Sequence, residues 1–372
     1  MQLSDIDDLP FHQAPTPFNV AATSDVHFND GYYHAIFAQD WYMSIGLRLH
    51  PNVNVIDGFV TLAHKGEQRS CRFSRVLRPR HTELAIGPLK MEVTERMRRT
   101  RLALADSPAG LSFDLELEAV SPPYFEAPYH HRRFGILIND LVRYTMVCRA
   151  SGSIVLDGLE TKVDRWHAIR DHSWGIRASM GPHTSPRGVD EDPSDADLRR
   201  FRLWVPFEVE GHAGFFQTHE AEDGSTLDFE GALFMADGRQ VPLTGVRHRL
   251  RYAPGTHNVL GGEFDLRHGD GSWHTYRISL AGTPADVQGG GYYSGWNDGK
   301  RTGMYRGAGP VIEYDRYACG PELGVTGAAH IPAKRHIGPS EFPMFLTGPD
   351  GARGMAHFEH YIFGPYQPYG FT

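Results

Sequence analysis

Cysteine is nearly missing from this chain: Cys71, Cys148 and Cys319 are the only three in 372 residues, far apart and in no Cys-x-x-Cys spacing. That excludes a disulfide framework and a cysteine-built zinc knuckle, and points to reduced, buried thiols in a cytoplasmic protein. Runs of like charge are also missing. The 45 acidic and 37 basic side chains leave a net charge of −8 with no five of one sign in succession, so neither nucleic acid nor an anionic membrane is expected as a partner. No apolar run approaches the about 20 residues that span a bilayer. The segment Ser4-Asp5-Ile6-Asp7-Asp8 is acidic where an export signal is basic and then apolar, so an unexported, soluble protein is expected.

Two further absences bear on cofactors. Gly289-Gly290-Gly291 has neither the Gly-x-Gly-x-x-Gly spacing nor the strand-to-helix setting of a dinucleotide site, and is expected to form a bulge and turns. The tail His357-Phe358-Glu359-His360-Tyr361 contains no His-Glu-x-x-His helix, and His-x-x-His on a strand points its two rings to opposite faces. No metal and no cofactor are therefore expected. The partner left is a small hydrophobic molecule, and assembly into a homo-oligomer stays open.

What the chain has is turn chemistry, aromatics and histidine. Asp-Gly pairs fall at 30–31, 57–58, 157–158, 223–224, 237–238, 270–271, 298–299 and 350–351, each a hairpin signal when alternating residues flank it. Leu111, Phe113, Leu115 and Leu117 alternate with Ser112, Asp114, Glu116 and Glu118, the period of a half-buried strand. Phe264 and Leu266 lead into Gly269-Asp270-Gly271, with Tyr276, Ile278 and Leu280 leading away, a further hairpin. Phe134–Val147 leans to strand through its β-branched and aromatic content, and Arg202–Val209 and Gly214–Glu220 read as strands. The aromatic block from Val26 to Tyr42 reads as a strand, a turn at Asn29-Asp30-Gly31 and a second strand. The fold class is all-β and antiparallel. Such strands close or stack to hide their edges, and 372 residues exceed one typical core, so two barrels or sandwiches in tandem are expected. A loose arm over 1–24 carries Pro10, Pro15 and Pro17. One β-domain then covers 25–185 and a second 186–372. The charged, Pro-rich loop from Pro182 to Asp195 either separates them or covers a mouth.

Candidate site residues centre on Arg170-Asp171-His172-Ser173-Trp174-Gly175-Ile176-Arg177. On a strand, His172 and Trp174 share one face and Asp171 takes the other. His172 carries protons near neutral pH, and Trp174 is a broad apolar wall with one donor. The alternative is structural, a buried histidine bonded to a carboxylate beside a core tryptophan. Gln217 and His219 alternate with Phe215 on a presumed buried face, where a polar group needs a partner, and join the candidates as does Tyr33. Tyr292, Asp40, Arg306 and Glu359 complete the list; Tyr33, Asp40, Arg306 and Glu359 either touch the substrate or are structural.

The run Arg149-Ala150-Ser151-Gly152-Ser153-Ile154-Val155-Leu156-Asp157-Gly158, then Arg165 and Ile169-Arg170-Asp171-His172-Ser173-Trp174-Gly175, resembles the AttH-like and carotenoid 1,2-hydratase (hydroxyneurosporene synthase) superfamily. Leu49-His50-Pro51-Asn52 and the N-terminal aromatic block are similar to it as well. The resemblance implies a pair of lipocalin-like β-barrels with a cofactor-free site near their junction. It also implies that His172 and Trp174 protonate an alkene and hold the resulting cation. A Tyr-x-Asp pair that completes the site in the hydratase branch has Gln217-Thr218-His219 as its nearest counterpart here, without the tyrosine or the aspartate. The expected activity is a cofactor-independent lyase or hydratase acting on a hydrophobic oxygenated aromatic, lignin- or phenylpropanoid-like, or on a terpenoid. In it His172 is the general acid/base, Asp171 helps to set its tautomer and His219 is a second proton carrier. Gln217 would orient a hydroxyl, with Trp174, Tyr33 and Tyr292 as a cation-tolerant wall. A non-catalytic carrier of a hydrophobic ligand and a cofactor-free isomerase or cyclase are the alternatives.

Overall fold

The alternation of apolar and polar side chains builds nearly every element. The computed structural model describes residues 5–10, 12, 15–133, 135–182, 199–321, 324–326 and 340–372, so most of the loop expected over Pro182–Asp195 lies outside the described residues. Twelve strands come first: β1 (Phe28–Ala38), β2 (Trp41–His50), β3 (Val55–His64), β4 (Glu67–Val76), β5 (Ala85–Ile86), β6 (Leu89–Glu95), β7 (Arg99–Leu104), β8 (Leu111–Ala119), β9 (Tyr124–Phe125), β10 (Tyr129–Arg133), β11 (Ile136–Leu156) and β12 (Leu159–Arg177). Ten follow: β13 (Phe201–Val209), β14 (His212–Glu220), β15 (Thr226–Met235), β16 (Gln240–Tyr252), β17 (Val259–His268), β18 (Trp273–Leu280), β19 (Val311–Gly320), β20 (Gly324–Thr326), β21 (Glu341–Thr347) and β22 (Arg353–Ile362).

The all-β expectation holds. β13–β18, β21 and β22 close an eight-stranded barrel, with β22 pairing back onto β13. β1–β12, β19 and β20 form one antiparallel sheet, curled into a half-barrel. The curl shows in its core, where Ile86, Leu89 and Leu102 from β5–β7 meet Val60 and Phe73 from β3 and β4. This pair of bodies is consistent with two lipocalin-like barrels. The first sheet is assembled from both parts of the chain, since β19 pairs with β4 from Val311↔Ser74 to Ala318↔Glu67. There Arg72, with no side-chain exposure, pairs with Glu313 at 3.3 Å and with Asp315.

The turn expected at Asn29-Asp30-Gly31 is not there: β1 runs straight through it, and the chain reverses at Gln39-Asp40, where Asp40 takes φ 61°. Asp57-Gly58 likewise lies inside β3. Packing overrides turn propensity at Gly31, because a Cβ there would stand 2.8 Å from the Arg48 side chain. Nor do Gly289–Gly291 make a strand bulge. They belong to an irregular helical turn, Gln288–Tyr292, pressed against β3 and β4.

The inside of the barrel is packed mainly with apolar side chains, Phe201, Leu203, Val205, Phe216, Phe264, Phe342 and Phe358 among others. Alternation then sends Trp204, Phe215 and Met355 outward. They pack on Tyr33, Ala35, Phe37, Tyr42, Phe59 and Ile169 from the half-barrel, so the face of the sheet opposite its own core lies against the barrel wall.

Candidate functional site

β12 is the hub, paired with β1 on one side and β11 on the other. Its period of two sorts the central motif between two environments. His172 and Trp174 point to the side of the half-barrel's own core. His172 stacks on Tyr32 at 4.1 Å between ring centroids, meets Tyr144 edge-on at 5.4 Å and lies 5.1 Å from Trp174. Its Nε2 lies 2.8 Å from Asp30 Oδ1, so its carboxylate partner is Asp30 and not Asp171. Arg170 stands over Tyr32 and Tyr144 at 5.4 and 6.0 Å.

Asp171 points the other way, into the sheet–barrel interface, directly across from Tyr33 on β1 and Thr145 on β11. It is buried, and Arg143 Nε lies 3.3 Å from its Oδ2. Desolvation outweighs the pull of Arg143, and the neighbouring Glu126 adds to it, so the Asp171 carboxyl is pushed up to about 6. Arg143 also pairs with Glu126, which accepts from Thr145 Oγ1 at 2.6 Å, Trp204 Nε1 at 3.3 Å and Gln217 Nε2 at 3.1 Å. Gln217 donates as well to Glu230, and Tyr124 donates to Glu230 at 3.3 Å. Arg143 and Gln217 retain partial exposure, so the cluster reaches solvent on their side.

The aromatic wall of the interface continues past Tyr33. Its ring lies 5.9 Å from Tyr292 and 6.1 Å from His357, and its hydroxyl is 3.0 Å from that of Tyr42. Tyr292 accepts from Arg177 Nη1 at 3.1 Å. Beyond it lie Glu341, His357 and Glu359, where Arg202 pairs with Glu359 at 2.9 Å. Burial raises the Glu359 carboxyl above its ordinary range, with Glu341 adding to the effect and Arg202 opposing it.

The structure thus divides the sequence-expected site. Asp171, Tyr33, Gln217, Tyr292 and Glu359 share the sheet–barrel interface, whereas His172 and Trp174 occupy the opposite face of β12. His172 and the Tyr33–Tyr292 pair thus stand on opposite sides of β12 and β1. His219 sits further along β14, with Nδ1 2.7 Å from Asp228 Oδ1; burial holds its imidazole below the usual range despite that carboxylate. Asp40 is a turn residue whose carbonyl accepts from His64 Nδ1 at 2.7 Å. Arg306 stacks on Trp296 at 3.7 Å and pairs with Asp298 at 3.2 Å. His357 and His360 take opposite faces as expected, His357 at the interface and His360 against Phe201 and Tyr252 on the barrel side. Yet His357 stands in a group with Glu341 and Glu359 that could hold a metal ion, which the strand argument alone did not find. Glu126, Arg143 and Glu341 also went unread, since no local motif marks them and they converge only through the docking of the barrel on the sheet.

Solved structures align with the chain to differing degrees. A protein from Nitrosomonas europaea described as a candidate AttH aligns with a TM-score of 0.53 and 14% identity, covering 95% of this chain and 99% of its own. Kievitone hydratase from Nectria haematococca aligns at 0.45 and 8%, covering 93% of each chain. CghA with bound Sch210972 aligns at 0.47 and 8%, over 91% of this chain and 89% of that one. At these identities the likeness to the first is one of fold, and the weaker two carry no argument. No curated protein matches the chain. The model of a family of unknown function, DUF8625, matches residues 3–372, and the chain belongs to that family.

Proposed function

We propose that this protein is a hydratase- or lyase-type enzyme for a hydrophobic, oxygenated aromatic or terpenoid molecule, with Asp171 as its proton carrier. The observation that carries the reading is the setting of Asp171. A buried carboxyl faces aromatic rings, with one guanidinium at 3.3 Å, and changes protonation close to neutral pH. Perturbed groups in domain interfaces mark functional sites more often than surface ion pairs do. In the addition direction the protonated Asp171 gives its proton to one alkene carbon. Tyr33 and Tyr292 face the cation that forms on the other, a water oxygen bonds to that carbon, and the proton the water sheds restores Asp171. Gln217, held by Glu126 and Glu230, orients the substrate hydroxyl.

A second reading keeps the chemistry but moves it to His172, favoured by the 2.8 Å His172–Asp30 contact and the aromatic surround. Incubation of the purified protein with a panel of hydroxylated aromatic and terpenoid compounds, followed by mass spectrometry, separates the possibilities. Gain or loss of water that disappears in Asp171→Asn and persists in His172→Gln supports the first reading, and the reverse supports the second. A compound retained unchanged by all three proteins would make this a carrier.

A further inference from the structure

Glu341 on β21 and Glu359 on β22 stand directly opposite each other in register, and His357 lies two residues before Glu359 on the same face. All three turn away from the barrel core toward the sheet. Like charges opposed across an antiparallel pair repel, and little water reaches here: Glu341 is 1% and His357 0% exposed, and the Glu359 side chain 14%. Arg202 balances Glu359 from β13. For Glu341 the nearest basic atom is His357 Nε2, 2.8 Å from its Oε2. Neither of those atoms makes a hydrogen bond among the described residues, because the contact lies off the N–H direction. Two buried lone pairs therefore converge on one point rather than sharing a proton along a line.

That is how two ligands of one cation face each other. Ligand atoms with bonds of about 2.0–2.2 Å to a common centre lie about 3 Å apart. One atom from each of Glu341, His357 and Glu359 falls within 4.8 Å of the other two. The outer contacts fit as well. His357 Nδ1 is fixed by the Tyr42 hydroxyl at 2.9 Å, the kind of partner that orients a ligating imidazole. Arg202 engages Glu359 through Oε1, leaving the second oxygen of that carboxylate to turn inward. We infer that Glu341, His357 and Glu359 bind one divalent first-row transition cation of the zinc or manganese type. An imidazole among carboxylates suits those ions better than magnesium or calcium, which favour oxygen ligands alone. Three protein ligands would leave the remaining coordination positions to water. The site does not depend on the catalytic role given to Asp171.

The test uses the full-length protein, stripped with a chelator and titrated with Zn2+ and separately with Mn2+ by calorimetry, with metal content measured after desalting. The stacked imidazoles of His268 and His274, 3.9 Å between centroids, would compete for zinc in a titration, so every protein carries His274→Gln. One equivalent per chain is expected, with Glu341→Gln and His357→Gln each weakening binding at least 100-fold. No binding of either metal in the His274→Gln background, or binding unchanged by the two ligand substitutions, overturns the site. If those substitutions prevent folding, Co2+ added to His274→Gln decides. One equivalent giving visible d–d bands of a nitrogen- and oxygen-ligated ion supports the site, and their absence overturns it.

Discussion

Asp171 gives the pH dependence its sign. A carboxyl raised from 3.8 to about 6 by folding binds a proton more tightly in the native than in the unfolded chain. Below about pH 4 both states are protonated and nothing is lost. Between about 4 and 6 the unfolded state releases its proton first, so native stability falls as pH rises, and above about 6 the loss is complete. Two units at 1.36 kcal/mol each make this about 3 kcal/mol. Urea unfolding of the wild type and Asp171→Asn should therefore diverge across that window, the wild type losing ground to the variant as pH rises; parallel curves would contradict the burial argument. For activity the general-acid role requires the protonated form, so kcat/KM for addition should fall as pH rises through about 6, a limb read from initial rates. The motif around 170–177 was legible as a strand with two faces, and the separation of Asp171 from His172 followed from alternation alone. The partner of His172 was not legible, because Asp30 lies 142 residues earlier in sequence and meets it only through the pairing of β1 with β12.

Among the elements, the turn at Gln288–Tyr292 shows what its glycines are for. A Cβ on Gly290 would stand 2.5 Å from Thr61 Oγ1, and one on Gly291, at φ 133°, 2.8 Å from Phe59 Cβ. The backbone lies flat on β3 and β4 only because these side chains are missing, and the same contact aims Tyr292 at Tyr33. Gly290→Ala should cost about 1–3 kcal/mol by overpacking, measurable as a lower urea midpoint. It should also displace Tyr292 and so reduce turnover, whereas Gly309→Ala, with open space around its Cβ position and no left-handed backbone, should leave the tyrosine in place. Strands such as β8 were readable to the residue from their alternation, since one face meets the core and the other meets water. Asp30-Gly31 and Asp57-Gly58 misled because a turn dipeptide inside a two-sided buried strand serves close packing, and nothing local distinguishes the two uses.

For the whole molecule, composition and turn spacing were enough to give antiparallel β structure and two bodies. They could not give the pairing of β19 with β4, a contact between strands over 200 residues apart. Arg72 is the test of that seam. Arg72→Met removes the cation shared by Glu313 and Asp315, which retain 11% and 17% side-chain exposure. Those acids keep some water, so the loss should be about 2–3 kcal/mol, below that of a fully buried broken pair. Denaturant unfolding checks it, and Arg72→Lys should recover only part.

The same seam sets an order of events during synthesis. Made from its N-terminus, the chain releases β4 long before the strand that caps it, so for most of translation one margin of the half-barrel offers a row of unpaired amides to any passing strand. Nascent chains with residues up to 310 outside the ribosome should recruit holdase chaperones more strongly than chains with residues up to 326 outside it.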